Sequence, residues 1–273
     1  MSSSTSSSSS STSTTSRYAL VTGGSSGIGI AVVQKLLNEG YHVLTTGRNL
    51  ARLQQAYPNK ADNLYFVEAD LSTNNGPTII IDEVKKLFPC LHILINNAGS
   101  GHVGQQIERA SMDYYDETMI LNVRSPFLLI KLAIPLLVPK LSCIVNLSSV
   151  AAQRPFNGMG PYCISKAAVD MLTQSAALEL APSQIRVVGI APGTIETTFH
   201  EHAGMSQETA KAYYSASAHT HPIGRVGNAN EIADIIMFVV DSNKASFITG
   251  STFVVDGGRL LTSSTAPQLG GNK

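Results

Sequence analysis

The sequence predicts an α/β fold: a single doubly wound, Rossmann-type domain with a seven-stranded parallel sheet and helices on both faces. Three observations predict it. Short β-rich runs alternate with helical stretches along most of the chain. A glycine-rich turn directly follows the first run, where such a fold builds its ligand crevice. And 273 residues with 43% hydrophobic content and no internal repeat suffice for one full core.

The elements follow in order. Residues 1–16 are almost pure Ser/Thr, bury nothing, and are expected to form a disordered tail. The domain is expected over 17–260, followed by a polar, flexible tail at 261–273. Tyr18–Thr22 is the first apolar run, and a helical stretch from Ile28 to Asn38 carries Ile30, Val33, Leu36 and Leu37 on one face. Further strands are expected at His42–Thr46, Leu64–Val67, Leu91–Ile95, Cys143–Leu147, Arg186–Ile190 and Thr252–Val255. Helices are expected near Ile79–Leu87, from about Met119 to Leu137, and from Pro161 to Leu180. The apolar stretch Pro126–Pro139 is broken by Lys131 and Pro135, is too short to span a bilayer, and reads as a buried helix.

Charge and cysteine content exclude several classes. Lys+Arg and Asp+Glu each number 19, so electrostatics make no case for nucleic acid or an anionic membrane. Cys90, Cys143 and Cys163 form no CxxC pair and read as reduced packing residues of a cytoplasmic protein. His200-x-His202 and His219-x-His221 have ligand-like spacing in a polar stretch, but they read as bystanders, and no metal is expected.

Two stretches carry chemistry. Pro161 opens a helical turn holding Tyr162 and Lys166 four residues apart, on one face. A nearby ammonium favours the phenolate, making Tyr162 a candidate proton donor and acceptor. Taken alone such a pair is common on solvated helices. The second stretch is Thr22-Gly23-Gly24-Ser25-Ser26-Gly27-Ile28-Gly29, between strand and helix, where close backbone approach and free amides suit a pyrophosphate. Its spacing is Gly-x-x-x-Gly-x-Gly and not the six-residue dinucleotide fingerprint.

These motifs stand in an order that resembles the short-chain dehydrogenase/reductase family, over Arg17 to about Gly258. The supporting residues are the turn Thr22–Gly29, Asn96-Asn97-Ala98-Gly99, Asn122 within Leu121-Asn122-Val123, Ser149 thirteen positions before Tyr162, the Tyr162/Lys166 pair, and Pro192–Thr197. The resemblance implies hydride transfer between a nicotinamide and a carbonyl or alcohol carbon. Tyr162 would be the acid/base, Lys166 would lower its pKa and hold the ribose, Ser149 would bond the substrate oxygen, and Asn122 would organise a proton-supplying water. The dinucleotide would be held by Gly23, Ser25, Ser26, Gly27, Ile28 and Gly29, then by Asn97, Ala98 and Gly99, together with Tyr162 and Lys166. Asp70 and Leu71 would bracket its adenine, and Pro192, Gly193, Ile195 and Thr197 would meet its nicotinamide.

Where NAD-users of the family place an acid after the second strand, this chain has Gly47 and then Arg48, whose guanidinium can pair with a 2′-phosphate. NADP(H) is therefore the expected cofactor, ahead of NAD(H). The substrate would be a small carbonyl or alcohol compound, with Phe156, Met159 and Phe199 as apolar wall and Gln153 and Arg154 as polar candidates. An NAD-linked alcohol dehydrogenase, or a cofactor-binding scaffold with incidental turnover, are the alternatives. The two long helices are the expected contacts of a homotetramer or homodimer.

Overall fold

The computed structural model describes residues 16–199 and 205–262. Nearly all of both tails, and His200 and His202, lie outside the described residues.

The elements are β1 (Arg17–Thr22), α1 (Gly27–Asn38), β2 (Tyr41–Gly47), α2 (Leu50–Ala56), β3 (Leu64–Glu68), α3 (Gly76–Leu87), β4 (Ile93–Asn96) and α4 (Met112–Met119). Then come α5 (Ser125–Ala133), β5 (Cys143–Leu147), α6 (Gly160–Leu180), β6 (Arg186–Pro192), β7 (Ile195–Glu196), α7 (Gln207–Ala218), β8 (Gly227–Asn228), α8 (Ala229–Val240) and β9 (Thr252–Val255). The main sheet has seven strands in the order β3-β2-β1-β4-β5-β6-β9. All its pairings are parallel. Strands β7 and β8 form a separate two-stranded ladder.

Strand residues alternate between two cores. Ala19, Val21, Val43, Ile95 and Val145 join α1 and α8 on one face. Leu20, Leu44, Leu94, Ile144 and Val187 join α3, α5 and α6 on the other. Both faces are buried, so the strands read as continuous apolar runs and not as half-polar ones. The helix α8 has no counterpart among the expected elements, although its start is legible. Asn228 and Glu231 form a capping box, and Ile232, Ile236, Val239 and Val240 face the core.

The chain order reverses between β1 and β4, and the site lies where their C-terminal ends diverge. Thr22 fixes that point. Its hydroxyl donates to the Ile95 carbonyl (3.3 Å) and accepts from the amides of Asn97 and Ala98 (each 3.0 Å). The Asn97 amide group in turn donates to the carbonyls of Thr22 (2.8 Å) and Gly23 (3.1 Å).

Two expectations are corrected. The apolar helix is longer than the broken Pro126–Pro139 pattern suggested. A continuous helical run covers Met112–Leu136, 25 residues, long and apolar enough by length and composition alone to cross a bilayer. Pro126 and Pro135 do not end it, because each sits at the start of a new segment where its missing N–H costs little. Here the run lies against the sheet with Leu129, Ile130 and Ala133 buried. The boundary drawn after residue 260 also falls inside structure: Arg259–Leu261 is a 3₁₀ turn, and Thr262 donates its hydroxyl proton to the Thr220 carbonyl (3.1 Å).

Thr22→Val keeps the shape but strips the acceptor from two amides. An unmade buried hydrogen bond of this kind costs about 1–3 kcal/mol. Urea unfolding should show the midpoint falling accordingly with an unchanged m-value.

Candidate active site

Helix α6 begins at Gly160 with Pro161 in its first turn, and it places Tyr162, Ser165 and Lys166 on its buried face. The Tyr162 phenol is hydrogen-bonded to the Ser149 side chain. Ser149 also caps the short turn after β5, its hydroxyl accepting from the Ala151 amide (3.1 Å). Lys166 donates from Nζ to the Leu147 carbonyl (2.7 Å), with Nζ 5.6 Å from the centre of the Tyr162 ring. Gly101 packs so closely on that ring that a Cβ there would stand 2.5 Å from it.

Asn122 sits in a π turn, Ile120–Arg124, between α4 and α5. Such turns insert a residue into a helix and recur at functional sites. Its amide group donates to the Ser100 carbonyl (2.8 Å) and to the Ser165 hydroxyl (2.9 Å), while its side-chain oxygen accepts from the Ser100 amide (2.9 Å). The side chain is thus fully committed to holding the 97–100 segment against α6. A Cβ on Gly99 would lie 3.1 Å from Asn122 Oδ1 and 3.5 Å from Lys166 Nζ.

A cleft of about 1450 Å³ runs from the glycine turn to these residues. It brings together Gly23, Ser25, Ser26, Gly27, Ile28, Arg48, Asp70, Leu71, Asn97, Ala98 and Gly99 with Ser149, Tyr162, Lys166, Pro192, Gly193, Ile195 and Thr197. Gly29 and Asn122 do not line it. Gly29 is a packing position, where a Cβ would meet the Gly23 carbonyl oxygen at 2.2 Å. Asn97 lines the cleft with its amide already spent on the glycine turn, and one Asp70 oxygen is taken by the amide and hydroxyl of Ser72 (2.9 and 2.7 Å).

Comparisons with known proteins identify the family. A family model described as enoyl-(acyl carrier protein) reductase matches residues 23–259. A human protein named dehydrogenase/reductase SDR family member 4 is 32% identical over 248 residues, 89% of this chain and 87% of its own length. The chain belongs to the short-chain dehydrogenase/reductase family. A tropinone reductase homolog of Arabidopsis thaliana is 35% identical over 245 residues, 88% of each protein. Among solved structures, a short-chain dehydrogenase/reductase of unknown function from Caenorhabditis elegans, with cofactor, has a TM-score of 0.85 at 33% identity, covering 90% of this chain and 96% of that one. ElxO with NADP bound has a TM-score of 0.81 at 27% identity, covering 91% and 100%.

As a short-chain dehydrogenase/reductase, the protein is an NAD(P)-dependent oxidoreductase. Its glycine turn fits a dinucleotide. Gly23 and Gly27 hold left-handed backbone (φ +70° and +51°), and a Cβ on Gly27 would press on Thr197 at 3.0 Å. Ser26 is the N-cap of α1 yet makes no side-chain capping bond, so the first-turn amides stay open to a phosphate. The turn is braced from behind by the Tyr57 hydroxyl, which donates to the Gly24 carbonyl (2.7 Å). Thr22 was read as the first residue of the turn, but neither its hold on the Asn97 and Ala98 amides nor the brace from Tyr57 was legible, since both join segments distant in sequence.

Three sequence expectations about this dehydrogenase are revised. Lys166 was expected to lower the Tyr162 pKa, but burial pushes the phenol up to about 12, and the group opposing that rise is the Ser149 hydrogen bond. Burial likewise pushes the Lys166 ammonium down to about 8, with Asp170 opposing. Arg154 does not face a substrate group, for its guanidinium donates to the carbonyls of Arg259 (3.2 Å) and Thr262 (2.5 Å). Gln153 is exposed and does not line the cleft. Of the histidines, His221 has both ring nitrogens engaged: Nδ1 donates to the Ser217 carbonyl (2.7 Å) and Nε2 accepts from the Thr194 amide (3.3 Å).

The lowered Lys166 pKa has a stability consequence. The native protein releases this proton at about 8, whereas the unfolded chain holds it to 10.5. Within that window the unfolded state binds more protons, so stability rises with pH, by at most about 1.4 kcal/mol per pH unit. Urea titrations should show wild type gaining stability relative to Lys166→Met between those pH values; a constant difference would refute the burial shift.

Proposed function

We propose that the protein is an NADP(H)-dependent carbonyl reductase, with Tyr162 as general acid in reduction and general base in oxidation. The observation carrying this reading is the Tyr162 phenol, bonded to Ser149 in the cleft, one helical turn from a buried Lys166 and across from an open glycine turn. When bound, the dinucleotide supplies the hydride.

The chain's own residues handle the oxygen and its proton. The Ser149 hydroxyl donates to the substrate oxygen as negative charge grows there. Tyr162 delivers the proton to that oxygen, and with a pKa near 12 it stays protonated at neutral pH, the state that reduction needs. Lys166, fixed by the Leu147 carbonyl, keeps positive charge beside the phenol and faces Gly99, where a nicotinamide ribose would lie. Both Asn122 amide protons are engaged, so a proton-supplying water would have to donate to an oxygen of this residue.

The NADP(H) preference rests on Gly47 and Arg48. A Cβ at Gly47 would stand 3.2 Å from Leu53, which leaves little room for an acid that would repel a phosphate. Arg48 is exposed, lines the cleft, and has no ion pair among the described residues. The NADP held by ElxO, at 27% identity, supports the same choice.

We further propose a homotetramer or homodimer built on α4–α5 and α6. These neighbouring helices leave Phe127, Ile134, Ile164, Met171 and Leu178 exposed. Gel filtration should give a multiple of 28.9 kDa, and a monomer alone would overturn the assembly.

Turnover of NADPH against a ketone and aldehyde panel tests the function. Tyr162→Phe should reduce turnover by about 10²–10⁴-fold with cofactor binding, read by NADPH fluorescence, intact. Arg48→Ala should weaken NADPH binding by about tenfold and leave NADH untouched. Wild-type preference for NADH would move the search to alcohols oxidised with NAD.

A further inference from the structure

The substrate half of the cleft contains a cation that the carbonyl chemistry does not use. Arg259 follows the turn Asp256-Gly257-Gly258, which is pinned by the Asp256 carboxylate. One carboxylate oxygen accepts from the Gly258 amide and the other from the Leu260 amide, each at 2.8 Å. The pinned turn sends the Arg259 side chain inward, where the residue is only 7% exposed yet lines the cleft. Its guanidinium carbon lies 4.9 Å from the centre of the Phe156 ring, and one amino group donates to the Thr194 hydroxyl.

No ion pair reaches Arg259 among the described residues. The carboxylate of Asp256 accepts from its two amides and, while it keeps its charge, forms no ion pair with Arg259. His221 is held by Ser217 and Thr194 as a neutral tautomer, and the nearby Arg259 helps hold its pKa below the usual imidazole value, after burial. Arg154 adds a second guanidinium on the same ring, 5.7 Å from the Phe156 centre. A buried cation with no ion pair among the described residues is costly, and a fixed fork of donors suits a carboxylate. Around it the wall is apolar and aromatic, with Phe156, Met159, Phe199 and Tyr213.

We propose that the substrate is a carbonyl compound with an apolar body and a carboxylate, and that Arg259 binds the carboxylate while Tyr162 and Ser149 hold the carbonyl. This rests on the carbonyl-reductase reading given above. It makes Arg259 a specificity-determining residue, one that a sequence motif does not single out because Phe156 and Thr194 lie far from it along the chain.

The test uses the full chain with NADPH and matched pairs of oxo-acids and their methyl esters, with aryl or alkyl bodies and several spacings between carbonyl and acid. For at least one spacing the acid should show a KM about tenfold or more below its ester at similar kcat. High salt should narrow that ratio, and Arg259→Gln should bring it close to one, with Arg259→Lys between. Esters matching or surpassing acids at every spacing would overturn the proposal. So would an acid preference that survives in Arg259→Gln, or equal losses for both members of each pair, which mark Arg259 as a pin for the C-terminal turn. Should Arg259→Gln fail to fold, the wild-type ratio and its salt dependence decide. NADPH binding with no turnover of any acid or ester would instead sink the carbonyl reading itself, and this proposal with it.

Discussion

The structure depends on one hydroxyl at the switch point of the sheet. Where β1 and β4 part, two successive amides would be left without strand partners, and the Thr22 hydroxyl accepts from both. Asn97 answers by closing on the carbonyls of the glycine turn. These bonds set the distance between the turn and the Asn97–Gly99 segment. The turn's own glycines set how closely another group can approach. The cofactor half of the cleft is in this sense a by-product of satisfying buried backbone groups.

A second set of bonds joins that half to the chemistry. Asn122 holds Ser100 and Ser165 together, and Ser165 stands one residue from Lys166 on α6. The π turn makes this possible, because an extra residue lets one side chain leave the regular helical face. Lys166 is then clamped by the Leu147 carbonyl at the end of β5. The buried face of α6 is thereby referred to two strands and one helix, and its groups have few positions open to them. Burial has an electrostatic result as well: phenol and ammonium are each pushed toward their neutral forms.

Much of this was legible in the residues. Continuous apolar runs gave the parallel strands, since a sheet covered on both faces has no polar alternation to interrupt them. The helix α6 was readable from Pro161 and from the helix formers after it. Less legible were features set by partners distant in sequence. Arg154 looked like a substrate contact, but the C-terminal turn claims its guanidinium. Pro135 looked like a break in the apolar stretch, yet it begins a 3₁₀ segment that continues the helical run.

By itself, then, the sequence determined the fold class, the glycine turn after β1, and the pairing of Tyr162 with Lys166. All three follow from local rules: strand and helix periodicity, backbone freedom, and the four-residue repeat of a helix. Tertiary structure alone decided which polar groups remain available. It committed Asn97 and Asn122 to holding backbone and kept the Ser26 hydroxyl out of the helix cap. It also turned Arg259 into the cleft with no ion pair among the described residues. The physical reason is that hydrogen-bond satisfaction and desolvation are sums over neighbours in space. Those neighbours come from segments more than a hundred residues apart, as with Arg154 and Arg259, and no local pattern encodes them.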